Sequence, residues 1–130
     1  MTLRFVARTA GVDEDPDEGW LVAGVAEDDD GAGMELIFQS GPDEGDDEDT
    51  HCVVTAGQGT AYGAVDEITL EDELLRVLFD PAALDDLGLP EPEVEVVLAV
   101  DAGTVERLRG ALRQIMSYGR PSSRPRLVRL

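Results

Sequence analysis

Along much of the chain, apolar residues come at every second position. Leu3, Phe5 and Ala7 alternate with Arg4, Val6 and Arg8, the period of a strand with one buried face. Residues 20–26 are continuously apolar and suit a central strand, and Met34, Leu36 and Phe38 alternate with Glu35, Ile37 and Gln39 as a third. Residues 52–54 and 61–65 read as a fourth and a fifth. The runs 68–70 and 74–79 flank Glu71, Asp72 and Glu73, the pattern of a hairpin with a three-residue loop. Val94, Val96, Leu98 and Val100 then alternate with Glu93, Glu95, Val97 and Ala99.

Two stretches switch to helical spacing. Asp80 followed by Pro81 is an N-cap with proline at the first helical position, and Gly88 stands where a C-cap belongs, so 82–87 reads as a short helix. Val105, Leu108, Leu112 and Ile115 repeat at three- and four-residue steps, with Glu106, Arg107, Arg109 and Arg113 on the other face. Asp101 caps this second helix, and Gly110 weakens its middle. The expectation is an α+β domain: a mainly antiparallel sheet of seven or eight strands, the C-terminal helix packed on one face, and one short helix. Residues 1–117 form this domain. Residues 118–130 form an arginine-rich tail with turn-formers and little periodicity, mobile unless it meets an acidic surface on a neighbouring subunit or on its own body.

Composition agrees with a single folded unit, since 130 residues at 42% hydrophobic can build one core. No stretch approaches the ~20 apolar residues of a membrane span. The N-terminus carries Arg4 and Arg8 where a secretory leader would be apolar, and the single cysteine, Cys52, forms no internal disulfide. A cytoplasmic location is expected.

Charge changes the picture most. There are 29 Asp and Glu against 10 Arg, no lysine, and a net charge of −19. All the acids precede residue 117, while Arg120, Arg124, Arg126 and Arg129 follow it. Such a body repels nucleic-acid phosphates and anionic lipid heads, so neither direct nucleic-acid binding nor membrane binding is expected. Segments 13–18, 27–30 and 43–49 hold 15 of the 29 acids. Salt-adapted acidity spreads over every exposed face, whereas this clustering favours a surface that steers a basic partner. The candidate contact residues are Asp43, Glu44, Asp46, Asp47, Glu48 and Asp49, with Asp28, Asp29 and Asp30 as a second set. No glycine among these acids gives the ligand spacing of an EF-hand loop, and no metal or other cofactor is assigned.

Catalytic chemistry finds little support. His51 and Cys52 are adjacent in a strand pattern, so they point to opposite faces and are badly placed as a nucleophile–base pair. The expected arrangement is a buried, inert Cys52 beside an exposed His51, with Trp20 in the core. Gly57-Gln58-Gly59-Thr60 lacks the lysine of a phosphate-binding loop. A non-enzymatic binding protein is the expectation.

Several segments, taken in order, resemble the immunity protein 10 family of bacterial polymorphic toxin systems. They are Leu36-Ile37-Phe38-Gln39 ahead of an acidic loop, His51-Cys52-Val53-Val54, Tyr62-Gly63-Ala64-Val65, and the passage from Leu78-Phe79-Asp80-Pro81-Ala82-Ala83 to Leu87-Gly88-Leu89-Pro90. The helix over 105–116 completes the likeness, which covers roughly residues 1–116 and leaves the tail outside. The resemblance implies a protein made beside a toxin that protects the producing cell by binding the toxin domain. It transfers no functional residues, so the site rests on charge, and a basic nuclease is the toxin that charge fits. Two other classes remain open: an acidic secretion or assembly chaperone, and a regulatory domain that binds a metal or small molecule.

Overall fold

A computed structural model describes residues 2–14, 20–28, 33–41, 50–55, 59–119, 122 and 124–130. The chain forms β1 (Leu3–Ala7), β2 (Thr9–Glu14), β3 (Leu21–Ala26), β4 (Glu35–Ser40), β5 (Cys52–Thr55), β6 (Thr60–Tyr62), β7 (Val65–Glu71) and β8 (Leu74–Phe79). A 3-10 turn (Pro81–Ala83) leads into α1 (Leu84–Leu87), followed by β9 (Glu93–Leu98), α2 (Ala102–Met116) and β10 (Leu127–Arg129). The α+β class is as expected. The strands number ten rather than seven or eight among the described residues, and they divide into two five-stranded sheets.

The first sheet has the order β1-β9-β8-β7-β10, and the second is the meander β2-β3-β4-β5-β6. Every pair in the second sheet is antiparallel. In the first, β1 runs parallel to β9 and β10 parallel to β7, so both edges are parallel and the centre is antiparallel. The chain crosses between sheets twice. At Arg8 one residue separates β1 from β2, and Arg8 N–H donates to Ala26 C=O at 3.0 Å. At Gly63 (φ 63) and Ala64 the run expected as one strand, 61–65, splits instead into the end of β6 and the start of β7.

Period-2 alternation sends one face of each sheet inward. Phe5, Val96, Val77 and Ile68 line the first, and Ala23, Phe38, Val53 and Ala61 the second. The helix α2 joins this same buried cluster through Val105, Leu108, Leu112, Ile115 and Met116. It packs against β2, β3 and β4, while Arg109 reaches across to donate to Leu70 C=O at 3.3 Å. Its start is held by Asp101, whose Oδ1 accepts from Thr104 N–H at 2.7 Å.

The short helical segment follows its sequence signals. Asp80 Oδ1 accepts from Ala82 N–H at 3.0 Å, and Gly88 closes α1 with φ 67. The β7–β8 hairpin is tighter than expected: Glu71 pairs with Leu74, leaving a two-residue turn with Asp72 at φ 53, a conformation aspartate tolerates. Part of the tail is ordered on its own body. β10 lies beside β7, Arg126 pairs with Glu67 and sits 3.6 Å from Asp66, and Arg113 Nε donates to Leu130 C=O at 3.0 Å.

Two glycines make opposite predictions. A Cβ on Gly59 would lie 2.6 Å from Asp86 C=O and 2.8 Å from the Leu87 backbone, so Gly59→Ala must force the β5–β6 connection off α1. It should lower stability by about 1–3 kcal/mol. Gly110 is exposed within α2 and a Cβ there meets nothing, so Gly110→Ala should raise stability by about 1 kcal/mol. Urea midpoints of the two variants, shifted in opposite directions, are the check.

Candidate partner-binding surface

The outward face of the second sheet follows directly from its register. One row across the strands reads Asp13–Val22–Gln39–Cys52–Tyr62, and the next reads Gly11–Gly24–Ile37–Val54–Thr60. Thr9, Ala26 and Glu35 form a third, shorter row. Val22, Ile37 and Val54 are only half-buried, and Tyr62 is 72% exposed. Because Gly11, Gly24 and Ala26 carry little or no side chain, the β2–β4 part of this face is an open hollow of about 430 Å³. Asp13, Asp28 and Glu35 lie on its lining.

Trp20, expected in the core, is 44% exposed. The reason is parity. Leu21 opens the inward row of β3, so the residue before it continues the outward row of Val22 and Gly24.

Of the expected contact residues, Asp28 is exposed beside the end of β3 and borders the hollow. Asp29, Asp30, Asp43, Glu44, Asp46, Asp47, Glu48 and Asp49 lie outside the described residues. Their flanks are described. Ser40 and Cys52, on either side of the 43–49 segment, stand at the same end of the sheet as Glu14 and Leu21. Ala26 and Glu35, on either side of 28–30, stand at the opposite end. The run expected as an acidic loop from residue 13 begins inside a strand, since Asp13 and Glu14 belong to β2.

The outward face of the first sheet has a different character. Arg4, Glu95, Arg76, Thr69 and Arg129 follow one another across its five strands. Arg76 Nε bonds Glu93 at 3.0 Å, and Arg126 pairs with Glu67 near its edge. The Thr2 hydroxyl and Arg76 hold the Glu93 carboxyl below its usual range. This face neutralises much of its own charge.

His51 and Cys52 do point to opposite sides, but His51 is fully buried rather than exposed. It shares the inward parity of Val53, and its Nε2 accepts from Val65 N–H at 3.2 Å. The acceptor role of Nε2 puts the proton on Nδ1, which has no hydrogen-bond partner among the described residues. Burial lowers the imidazole pKa to about 4, so it stays neutral. Burial also pushes the Cys52 thiol up, a shift that a Tyr62 hydrogen bond only partly opposes, leaving it a poor nucleophile. Neither residue is set up for acid–base or covalent chemistry. Among the described residues no three His, Cys, Asp or Glu side chains converge as a metal site, and no helix is long and apolar enough to cross a membrane.

A charged two-sheet domain with a half-apolar, acid-bordered outer face has the make-up of a protein-binding module. The immunity protein 10 family model matches residues 6–106, from within β1 to the first turns of α2. The chain belongs to the immunity protein 10 family, and is therefore an immunity protein directed against a toxin. Comparison with curated proteins and with solved structures gives no match.

Buried neutral His51 has a measurable consequence. Between pH 6.5 and about 4 the unfolded chain binds a proton at this residue that the folded chain does not. The His51 contribution is therefore intact above pH 6.5 and lost as pH falls through that window, by about 3 kcal/mol in total. His51→Gln keeps an acceptor for Val65 N–H but does not titrate. Urea unfolding from pH 4 to 7 should show a shallower fall in stability for this variant than for the native chain.

Proposed function

We propose that this immunity protein neutralises a basic toxin domain, a nuclease, by binding it in the cytoplasm of the producing cell rather than by any catalysis. The observation that carries the reading is charge: net −19 without a lysine, and 15 of 29 acids gathered in three short segments, in a member of a toxin-neutralising family. A nuclease presents cationic side chains where it receives phosphates, and a dense carboxylate surface is their natural counterpart. On this reading Asp43, Glu44, Asp46, Asp47, Glu48 and Asp49 take the phosphate-receiving groove, with Asp28, Asp29 and Asp30 as a second contact. The strand ends flanking these two sets are separated by the length of β3, about 17 Å, within the span of an ordinary protein interface. Carboxylates at the rim of an interface act mainly on the rate of encounter.

The test is association kinetics with the toxin domain encoded by the adjacent gene. Replacing the six acids of 43–49 together by Ser or Asn should slow association roughly tenfold or more at low salt and flatten its salt dependence. The circular dichroism and melting of the variant should stay native. Unchanged association would sink the assignment of this segment. Pull-down of that domain, strong at low salt and weakened at high salt, tests the electrostatic reading as a whole.

A further inference from the structure

We propose that the outward face of the second sheet, centred on Gly11, Gly24 and Ile37, is the surface on which the toxin domain seats. The inference rests on the immunity reading and adds to it the place of contact. In a sheet with one buried face the other is ordinarily polar. Here the central outward row is Gly11–Gly24–Ile37–Val54–Thr60, without a charge, and Val22 and Ala26 lie beside it. No element of the described chain covers it: α2 lies on the inward side, against the core.

The fold does not explain the two facing glycines. Neither has the positive φ that would exclude a side chain. A Cβ at Gly11 meets nothing within 4 Å, and one at Gly24 meets only ordinary contacts at 3.7 and 3.8 Å. Glycine weakens a strand, and within one it often marks where another surface approaches closely. Together the glycines create the hollow, into which a partner's side chains can descend to reach Val22 and Ile37. Exposed Trp20 and Tyr62 stand at the end where Ser40 and Cys52 flank the acidic 43–49 segment, and aromatic residues of this kind anchor interfaces.

Charge identifies the occupant. The five strands of this sheet contain no arginine, lysine or histidine, and Asp13, Asp28 and Glu35 border the hollow. The first sheet presents Arg4, Arg76 and Arg129 on its outward face. There the arginines alternate with Glu67, Glu71, Glu93 and Glu95, so that face is charged of both signs and has no uncharged centre. A basic domain with an apolar centre therefore fits the second sheet, uncharged at its middle and bordered by acids alone, better than the first.

Gly24→Arg and Gly11→Arg test this, since both fill the hollow and place a cation opposite a basic partner while the backbone accommodates a side chain. Leu78→Arg adds the same charge to the outward face of the first sheet, where Glu93 and Glu67 are its cross-strand neighbours. Melting temperature confirms that each variant folds, and calorimetry with the adjacent-gene toxin domain measures Kd. The expected result is a loss of about thirtyfold or more for both glycine variants and little change for Leu78→Arg. Native affinity in folded Gly24→Arg and Gly11→Arg would overturn the docking face while leaving the immunity reading standing. A native chain that does not bind that domain at all would overturn both.

Discussion

The rest of the structure depends on one shared apolar layer. Two sheets and a helix each have a single side they must bury, and none has enough partner surface without the other two. The α2 stripe of Val105, Leu108, Leu112 and Ile115 lies in the same cluster as Phe38 and Val53 of one sheet and Val77 and Val96 of the other. This arrangement must hold against the self-repulsion of a chain with net charge −19. Ion pairs among the described residues offer modest help. Arg76–Glu93, Arg109–Glu106 and the Arg126 pairs with Asp66 and Glu67 all involve exposed partners, and such pairs contribute little each. Burial holds the fold, and charge is left for the surface.

That division explains what could be read from the sequence. Strands with regular alternation, β1, β4, β8 and β9, were legible because burial imposes period 2. The helices were legible because Asp80, Gly88 and Asp101 perform local chemistry that the sequence states outright. β2 was hidden because an edge strand carrying Gly11, Asp13 and Glu14 looks like a loop when its pairing partner is unknown. β10 was hidden because three residues have no periodicity; its place depends on β7 and on Arg126 meeting Asp66 and Glu67, some sixty positions earlier in the chain. The division into two sheets was equally invisible. Alternation tells a strand which side is buried, and it says nothing about which neighbour it chooses.

The candidate surface was legible only in its charge. Acidic runs announce themselves in any reading, whereas a hollow made by Gly11 facing Gly24 exists only once β2 and β3 are paired in register. Trp20 shows the same limit. Next to a continuously apolar run it looks like core, and one residue of parity puts it on the surface. His51 errs in the opposite direction: a polar side chain beside a cysteine looks exposed, yet its inward parity and the Val65 amide keep it buried and neutral. In each case the decisive variable is which face of a strand the residue occupies.

If the toxin domain docks as proposed above, the two kinds of surface divide the work of binding. Carboxylates act over several ångströms through water, so they bring a basic domain in quickly and turn away acidic ones, but salt weakens them. A desolvated apolar hollow acts only at contact, is insensitive to salt, and governs how slowly the complex separates. An inhibitor of a toxin made in the same cell needs both, since slow capture and early release each leave active toxin free. The architecture allows the two to be tuned apart. The strand ends that flank segments 28–30 and 43–49 lie at opposite ends of the second sheet. Between them the glycine-lined face is set by β2–β3–β4 register, which the buried layer beneath it fixes.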